Sequence, residues 1–190
     1  MKIGIIGPPG AGKSKLAAKI KREVLPGAKI VDNYAQKLQR DTGLALSTWA
    51  NFSENFMIAG VRRAAELKAT KSDHTLTVGT VVDTLMYCAM RSDLMINAAS
   101  AENLAFAQRW VESAMPAMGL WYRETWDYDF AVFCPVDEDT EANWKLDYSN
   151  ELPGVFSSFQ VPNVIGRSDE TLDYITEKLE KADESGVRSG

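Results

Sequence analysis

Gly7-Pro8-Pro9-Gly10-Ala11-Gly12-Lys13-Ser14 is the stretch that organises the chain. Its spacing, G-x-x-x-x-G-K-S, is that of a loop built to cradle phosphate. Such a loop must aim several backbone N–H groups at one point, and Gly7, Gly10 and Gly12 permit the positive φ and close approach this takes. Just before it, Lys2-Ile3-Gly4-Ile5-Ile6 reads as a short buried strand. Just after it, Lys15 to Lys21 carries apolar residues at helical spacing. Strand, loop and helix in that order are the context the motif requires. A helix starting near Lys13 brings free N–H groups and its positive dipole end to the same point. Lys13 is then expected to reach the β- and γ-phosphates of a nucleoside triphosphate, and the Ser14 hydroxyl to ligate Mg²⁺. The nucleotide-binding candidates are Gly7, Pro9, Gly10, Ala11, Gly12, Lys13, Ser14 and Lys15, joined from the far end of the chain by Arg167.

Downstream, Pro26-Gly27 marks a turn and Ala28–Asp32 a second strand ending in a carboxylate. Asn33 to Leu38 reads as a loop or short helix, and Asp41-Thr42-Gly43 as a break. Residues 47–69 form a helical stretch in which Trp49, Phe52, Phe56 and Ala59 recur on one face, with Gly60 as a weak point. That face suits either core packing or a pocket for a flat ring. His74–Gly79 is a third strand, rich in β-branched residues. Thr80 and Asp83 have capping-box spacing at the start of the helix that follows. Helical segments are expected over about residues 80–98 and 100–117. Asp129–Cys134 is a fourth strand and Val161–Ile165 a fifth, where Pro162 implies an edge position or a late start. Ser168 is the expected N-cap of a last helix, with Asp169 and Glu170 in its first turn.

Strands alternating with helices call for an α/β, three-layer sandwich with a five-stranded, mostly parallel sheet. Right-handed crossovers would place Gly7, Asp32, Gly79 and Pro135 along one sheet edge. One domain is expected over residues 1–184, with a polar and acidic segment at 136–151 able to act as a lid and a frayed tail at 185–190.

The chain has 190 residues, 45% hydrophobic and 25% charged, with a net charge of −5. That balance disfavours a broad basic surface for nucleic acid. Cys88 and Cys134 sit in apolar runs without metal spacing, which fits reduced thiols in a cytoplasmic protein. His74 is the only histidine, so a multi-histidine metal site is excluded. No run approaches the ~20 apolar residues of a membrane span, and no leader is expected ahead of the first strand.

A phosphate loop alone does not say how a triphosphate is used. A GTPase needs a guanine-reading N-K-x-D segment, and the sequence contains none. A motor ATPase usually has an acid ending an apolar strand, whereas Leu76-Thr77-Val78 ends at Gly79. A small kinase fits the chain length, the acid at the end of strand two and the lid segment. An ATPase or regulatory nucleotide-binding protein without a small acceptor stays as the alternative, as does a kinase acting on modified bases in DNA.

The chain resembles P-loop nucleoside and nucleotide kinases, and among them the ribosylnicotinamide-kinase-like group. The likeness rests on residues 7–14, on Val31-Asp32-Asn33-Tyr34-Ala35-Gln36 against the group's E-Y-A-R-E, on Gly79–Cys88 against its D-T-D segment, and on Tyr128–Phe133. Asn33 and Gly79 stand where the group has acids, and Lys145 where its lid has arginine. The resemblance implies transfer of the γ-phosphoryl of ATP, with Mg²⁺, to a nucleoside or nucleotide-type acceptor. Lys13 is the candidate electrostatic catalyst and Asp32 the candidate group that orients the acceptor hydroxyl or takes its proton. Ser14 and Asp83 are the metal-side candidates. Asp32, Tyr34, Phe52, Phe56 and Arg91 are the acceptor-side candidates. A homodimer is left open, with the aromatic segment 121–130 as its surface.

Overall fold

A computed structural model describes residues 1–32, 34–43, 52–69, 74–84, 86–87, 128–136, 164–166 and 170–184, together with residues 105, 108, 112–113, 117, 120, 145 and 149–150. The expected helices over 88–98 and most of 100–117, the aromatic segment 121–127, Ser168 and the tail lie outside the described residues.

The described elements are β1 (Lys2–Ile6), α1 (Lys13–Glu23), β2 (Lys29–Val31), α2 (Tyr34–Thr42), α3 (Phe52–Ala69), β3 (Thr75–Val78), β4 (Phe130–Phe133), β5 (Val164–Gly166) and α4 (Thr171–Glu184). A further helical segment covers residues 81–84 and 86–87. The sheet runs β2-β3-β1-β4-β5. Every pairing is parallel; Ile5 of β1, for example, sits level with Val78 of β3 and Val132 of β4.

Reversal of the crossover direction explains the layers. From β1 the chain passes over β3 to reach β2, with α1 between; from β2 it returns to β3 through α2 and α3. Right-handed crossovers in opposite directions put their helices on opposite faces of the sheet. Side-chain alternation agrees. Ile3, Ile5, Leu76, Phe130 and Val132 pack with Leu16, Ala17 and Ile20 of α1 and Ile175 of α4. Val31 turns the other way, against Ala65 and Ala69 of α3. Full burial of Leu16 or Ile20 contributes about 1.5–3 kcal/mol each. On the α4 side, Tyr174 meets Phe130 edge-to-face at 5.5 Å.

Some boundaries differ from the sequence reading. α2 continues through Asp41 and Thr42 and ends before Gly43. α3 runs unbroken through Gly60; its buried neighbours Ile58, Ala59 and Ala65 offset the ~1 kcal/mol a helical glycine costs. β5 begins at Val164, past Pro162, and occupies the edge of the sheet. Among the described residues no helix is long and apolar enough to cross a membrane.

Candidate active site

Because β1 to β4 are parallel, Gly7, Asp32, Gly79 and Cys134 emerge at the same sheet edge. Backbone bonds lock these ends together: the Gly79 N–H donates to the Ile5 carbonyl at 2.9 Å and the Cys134 N–H to the Ile6 carbonyl at 2.8 Å. The loop leaves β1 at Gly7, whose φ is 148°. A Cβ there would stand 2.2 Å from the Cys134 carbonyl oxygen, so glycine is what allows the loop to turn beside β4.

α1 then starts at Lys13. Its N-cap, Gly12, supplies no side-chain bond, and its first turn has no acidic residue. The helix therefore opens with its positive end and leading N–H groups uncommitted to any side-chain cap, which is the condition an anion site needs. The Lys13 ammonium donates to the carbonyls of Gly7 and Pro8, the latter at 2.9 Å. Burial holds its pKa below the ordinary lysine value; Asp83 opposes that shift and Arg62 adds to it.

Asp83 is 1% exposed. Its Oδ1 accepts from the Gly7 N–H at 2.9 Å and its Oδ2 from the Thr80 N–H at 2.7 Å. Thr80 Oγ1 in turn accepts from the Val82 N–H at 3.1 Å. The Thr80–Asp83 spacing thus closes the start of the helical segment as a capping box does, with the extra role of pinning the phosphate loop. Asp83 Oδ2 also accepts from the Thr80 hydroxyl at 3.5 Å.

A cleft of about 370 Å³ opens from the loop onto the α3 face of the sheet. The loop side is Pro9, Gly10, Gly12, Lys13, Ser14 and Lys15; the strand ends add Val31, Asp32, Thr77, Val78 and Gly79. α2 contributes Ala35 and Gln36, α3 contributes Asn55, Ile58 and Arg62, and the segment after β3 contributes Asp83 and Tyr87. Thr77 Oγ1 is buried in this lining without a hydrogen-bond partner. Arg62 Nη1 donates to the Thr80 carbonyl at 3.0 Å and to Thr84 Oγ1 at 2.8 Å.

The candidates on the phosphate loop therefore meet Asp32 and Asp83 at one cleft, with Gly7 and Ala11 buried beneath it. Lys145, on the expected lid, reaches the loop: its Nζ lies 3.4 Å from where a Cβ on Gly10 would be. The same segment is tied back by Ser149, whose Oγ accepts from the Val136 N–H at 3.4 Å. Tyr34 begins α2, and Phe52 and Phe56 lie on α3, but their side chains fall outside the described residues, as do Arg91 and Arg167 altogether. The reading from sequence passed over Asn55, Ile58, Arg62, Thr77 and Tyr87. The first three share a helical stripe at i, i+3 and i+7, a signal visible only once the aromatic face is set aside.

Among the described residues no three His, Cys, Asp or Glu side chains group to hold a metal. Mg²⁺ does not require such a cage, since it is commonly held by one or two side chains, waters and the phosphates of its nucleotide. Ser14 at the helix start, with two carboxylates nearby, meets that lower requirement.

No protein-family model and no curated protein sequence matches the chain. Solved structures do. A NadR protein in complex with NAD and AMP-PNP superposes with a TM-score of 0.62 at 11% identity, over 100% of this chain and 50% of that one. A deoxyadenosine kinase from M. mycoides with bound dATP gives 0.50 at 15% identity, over 97% and 100%. Thymidylate kinase from Candida albicans gives 0.51 at 13% identity, over 97% and 91%. The fold is that of the P-loop kinases. The chain spans about half the length of the NadR proteins it matches.

Proposed function

We propose that the chain is an ATP-dependent phosphotransferase that moves the γ-phosphoryl of ATP to a nucleoside or nucleotide-type acceptor. The observation that carries this reading is that the phosphate loop opens directly onto a walled cleft. At about 370 Å³ it falls within the size range of small-ligand pockets. Val31, Ile58 and Tyr87 give it apolar walls, while Asn55, Thr77 and Asp32 give it polar groups. The cleft extends past the phosphate loop to β2, α2 and α3, which supports room for a second ligand beside the donor phosphates.

In this reading the α1 N-terminus and Gly10–Gly12 hold the donor phosphates. Lys13 stabilises the charge that builds on the transferring phosphoryl group. Ser14 and Asp83 are the residues that would hold Mg²⁺. Bound Mg²⁺ would neutralise phosphate charge and favour one phosphate geometry. Asp32, half-buried at the end of β2, orients an acceptor hydroxyl or takes its proton. Lys145 over Gly10 is the lid's contact with the donor phosphates, where closure excludes water.

The test is ATP consumption with and without a panel of nucleosides and nucleotides. The reading expects consumption that depends on one acceptor class and falls with Asp32→Asn through kcat more than through the KM for ATP. Phosphate release that is indifferent to every acceptor would instead favour the ATPase reading.

A further inference from the structure

We infer that the acceptor carries a phosphate and that Arg62 is the residue that binds it, placing the acceptor in the nucleoside monophosphate class. This rests on the reading of the cleft as an acceptor pocket.

Arg62 is half-buried in the cleft wall. Among the described residues its hydrogen bonds go to neutral oxygens, those of Thr80 and Thr84, and both use Nη1. Among the described residues no carboxylate pairs with it. A guanidinium has five N–H donors, and among the described residues those on Nε and Nη2 meet no acceptor. A cation withdrawn from water without a counter-ion is costly, and an anionic ligand would offset that cost.

The position of the free edge narrows the choice of anion. Nη2 lies over Gly79, 3.3 Å from where a Cβ would be. Gly79 has a φ of 72° and no side chain, which leaves the strand end to the guanidinium. A cation thus stands over the glycine that replaces the acid of the resembled group. Asp83 is turned to the Gly7 and Thr80 N–H groups and forms no ion pair with Arg62 among the described residues, so its charge reaches the guanidinium only through space. Lys13 lies close enough for Arg62 to push its pKa down. Two cations thus converge at the point of transfer. Lys13 belongs to the donor side by its place in the phosphate loop. Arg62 belongs to the acceptor side by its place on the stripe with Asn55 and Ile58.

The length of that stripe fits. Seven residues of helix from Asn55 to Arg62 rise about 10 Å. That is the span from the polar edge of a base to a 5′-phosphate. A base against Ile58, read by Asn55, would put its phosphate between Arg62 and Lys13. With such an acceptor, a phosphate oxygen attacks the γ-phosphorus, and the bond from that phosphorus to the bridging oxygen of ADP breaks. The attacking oxygen is already anionic, so with this acceptor Asp32 would position a sugar hydroxyl of the nucleotide and not take a proton.

The experiment is a binding titration of the full chain holding Mg²⁺ and a non-hydrolysable ATP analogue. Common nucleosides and their 5′-monophosphates are compared. A charge-assisted contact of this kind predicts that one monophosphate binds about 10- to 100-fold tighter than its nucleoside. Arg62→Gln should erase that preference, Arg62→Lys should restore part of it, and affinity for the ATP analogue should stay within about two-fold. Equal binding of nucleoside and monophosphate by the unaltered chain, or binding of neither, overturns the inference without reference to any variant. So does a preference that survives in Arg62→Gln, or a loss confined to the ATP analogue, which would assign Arg62 to the donor. The kinase reading fails separately: selective monophosphate binding with no phosphoryl transfer from ATP would leave Arg62 assigned and the proposed reaction refuted.

Discussion

Asp83→Asn changes one oxygen of a buried carboxylate to an amide and should cost more than its size suggests. In the folded chain Oδ1 and Oδ2 accept from the Gly7 and Thr80 N–H groups at 2.9 and 2.7 Å. Asparagine offers only one acceptor oxygen, so whichever N–H it satisfies, its NH₂ faces the other. One charge-assisted bond becomes neutral, and the second becomes a donor facing a donor. Hydrogen bonds to charged groups contribute about 1.5–3 kcal/mol, and a buried N–H left unmet costs about 1–3 kcal/mol. The summed loss is about 2–4 kcal/mol. Urea unfolding should show it as a fall in midpoint of about 1–2 M at unchanged slope. For a domain of this length each kcal/mol is about 2–4 °C, so Tm should drop by about 4–16 °C. Removing the nearby negative charge also withdraws an influence that raises the Lys13 pKa, so that pKa should fall further in the variant. A variant within about 0.5 kcal/mol of the unaltered chain would refute the reasoning that Asp83 fastens the phosphate loop.

Other outcomes follow from the same geometry. Gly7→Ala drives a Cβ to within 2.2 Å of the Cys134 carbonyl, and the site has no flexible side chain to yield; a loss above about 3 kcal/mol or insoluble expression is expected, read by urea unfolding or yield. Thr77→Val replaces a buried hydroxyl that has no partner with a methyl of like shape; stability should hold or rise by about 1 kcal/mol in the same unfolding assay. Lys13 has a folded-state pKa below 10.5 because of burial. Between that value and the unfolded one, the unfolded chain binds the extra proton, so this group's penalty on stability is relieved as pH rises through the window. Phosphate requires the charged form, so affinity for an ATP analogue should fall over the same window and binding should take up a proton. Calorimetry in buffers of different ionisation heat reads that uptake, and Lys13→Met should abolish it.

The phosphate loop and the parallel sheet were legible because their signals are local. Eight residues of loop, the alternation of Ile3 and Ile5 with their neighbours, and β-branched runs at Thr75–Val78 each declare themselves without knowledge of the rest. The Thr80–Asp83 cap was legible for the same reason; its second bond, to Gly7, was not, because it joins strands that only the sheet order makes adjacent. Arg62 was hidden more deeply. Its approach to Gly79 depends on α3 lying on the face away from α1, which follows from the reversal of crossover direction and not from any residue near it. The glycine in α3 misled in the opposite sense, since a local cost of ~1 kcal/mol is small beside the burial of the residues around it. The sequence shows Gly79 where the resembled group has an acid, but not that Arg62, from a helix arriving from elsewhere, stands over it.

The most direct measurement follows the label from γ-labelled ATP in a single turnover with the acceptor panel. The account predicts label in an organic phosphate ester or anhydride of one acceptor class, dependent on Mg²⁺ and absent in Lys13→Ala. Label appearing only as inorganic phosphate, at a rate no acceptor alters, would contradict it.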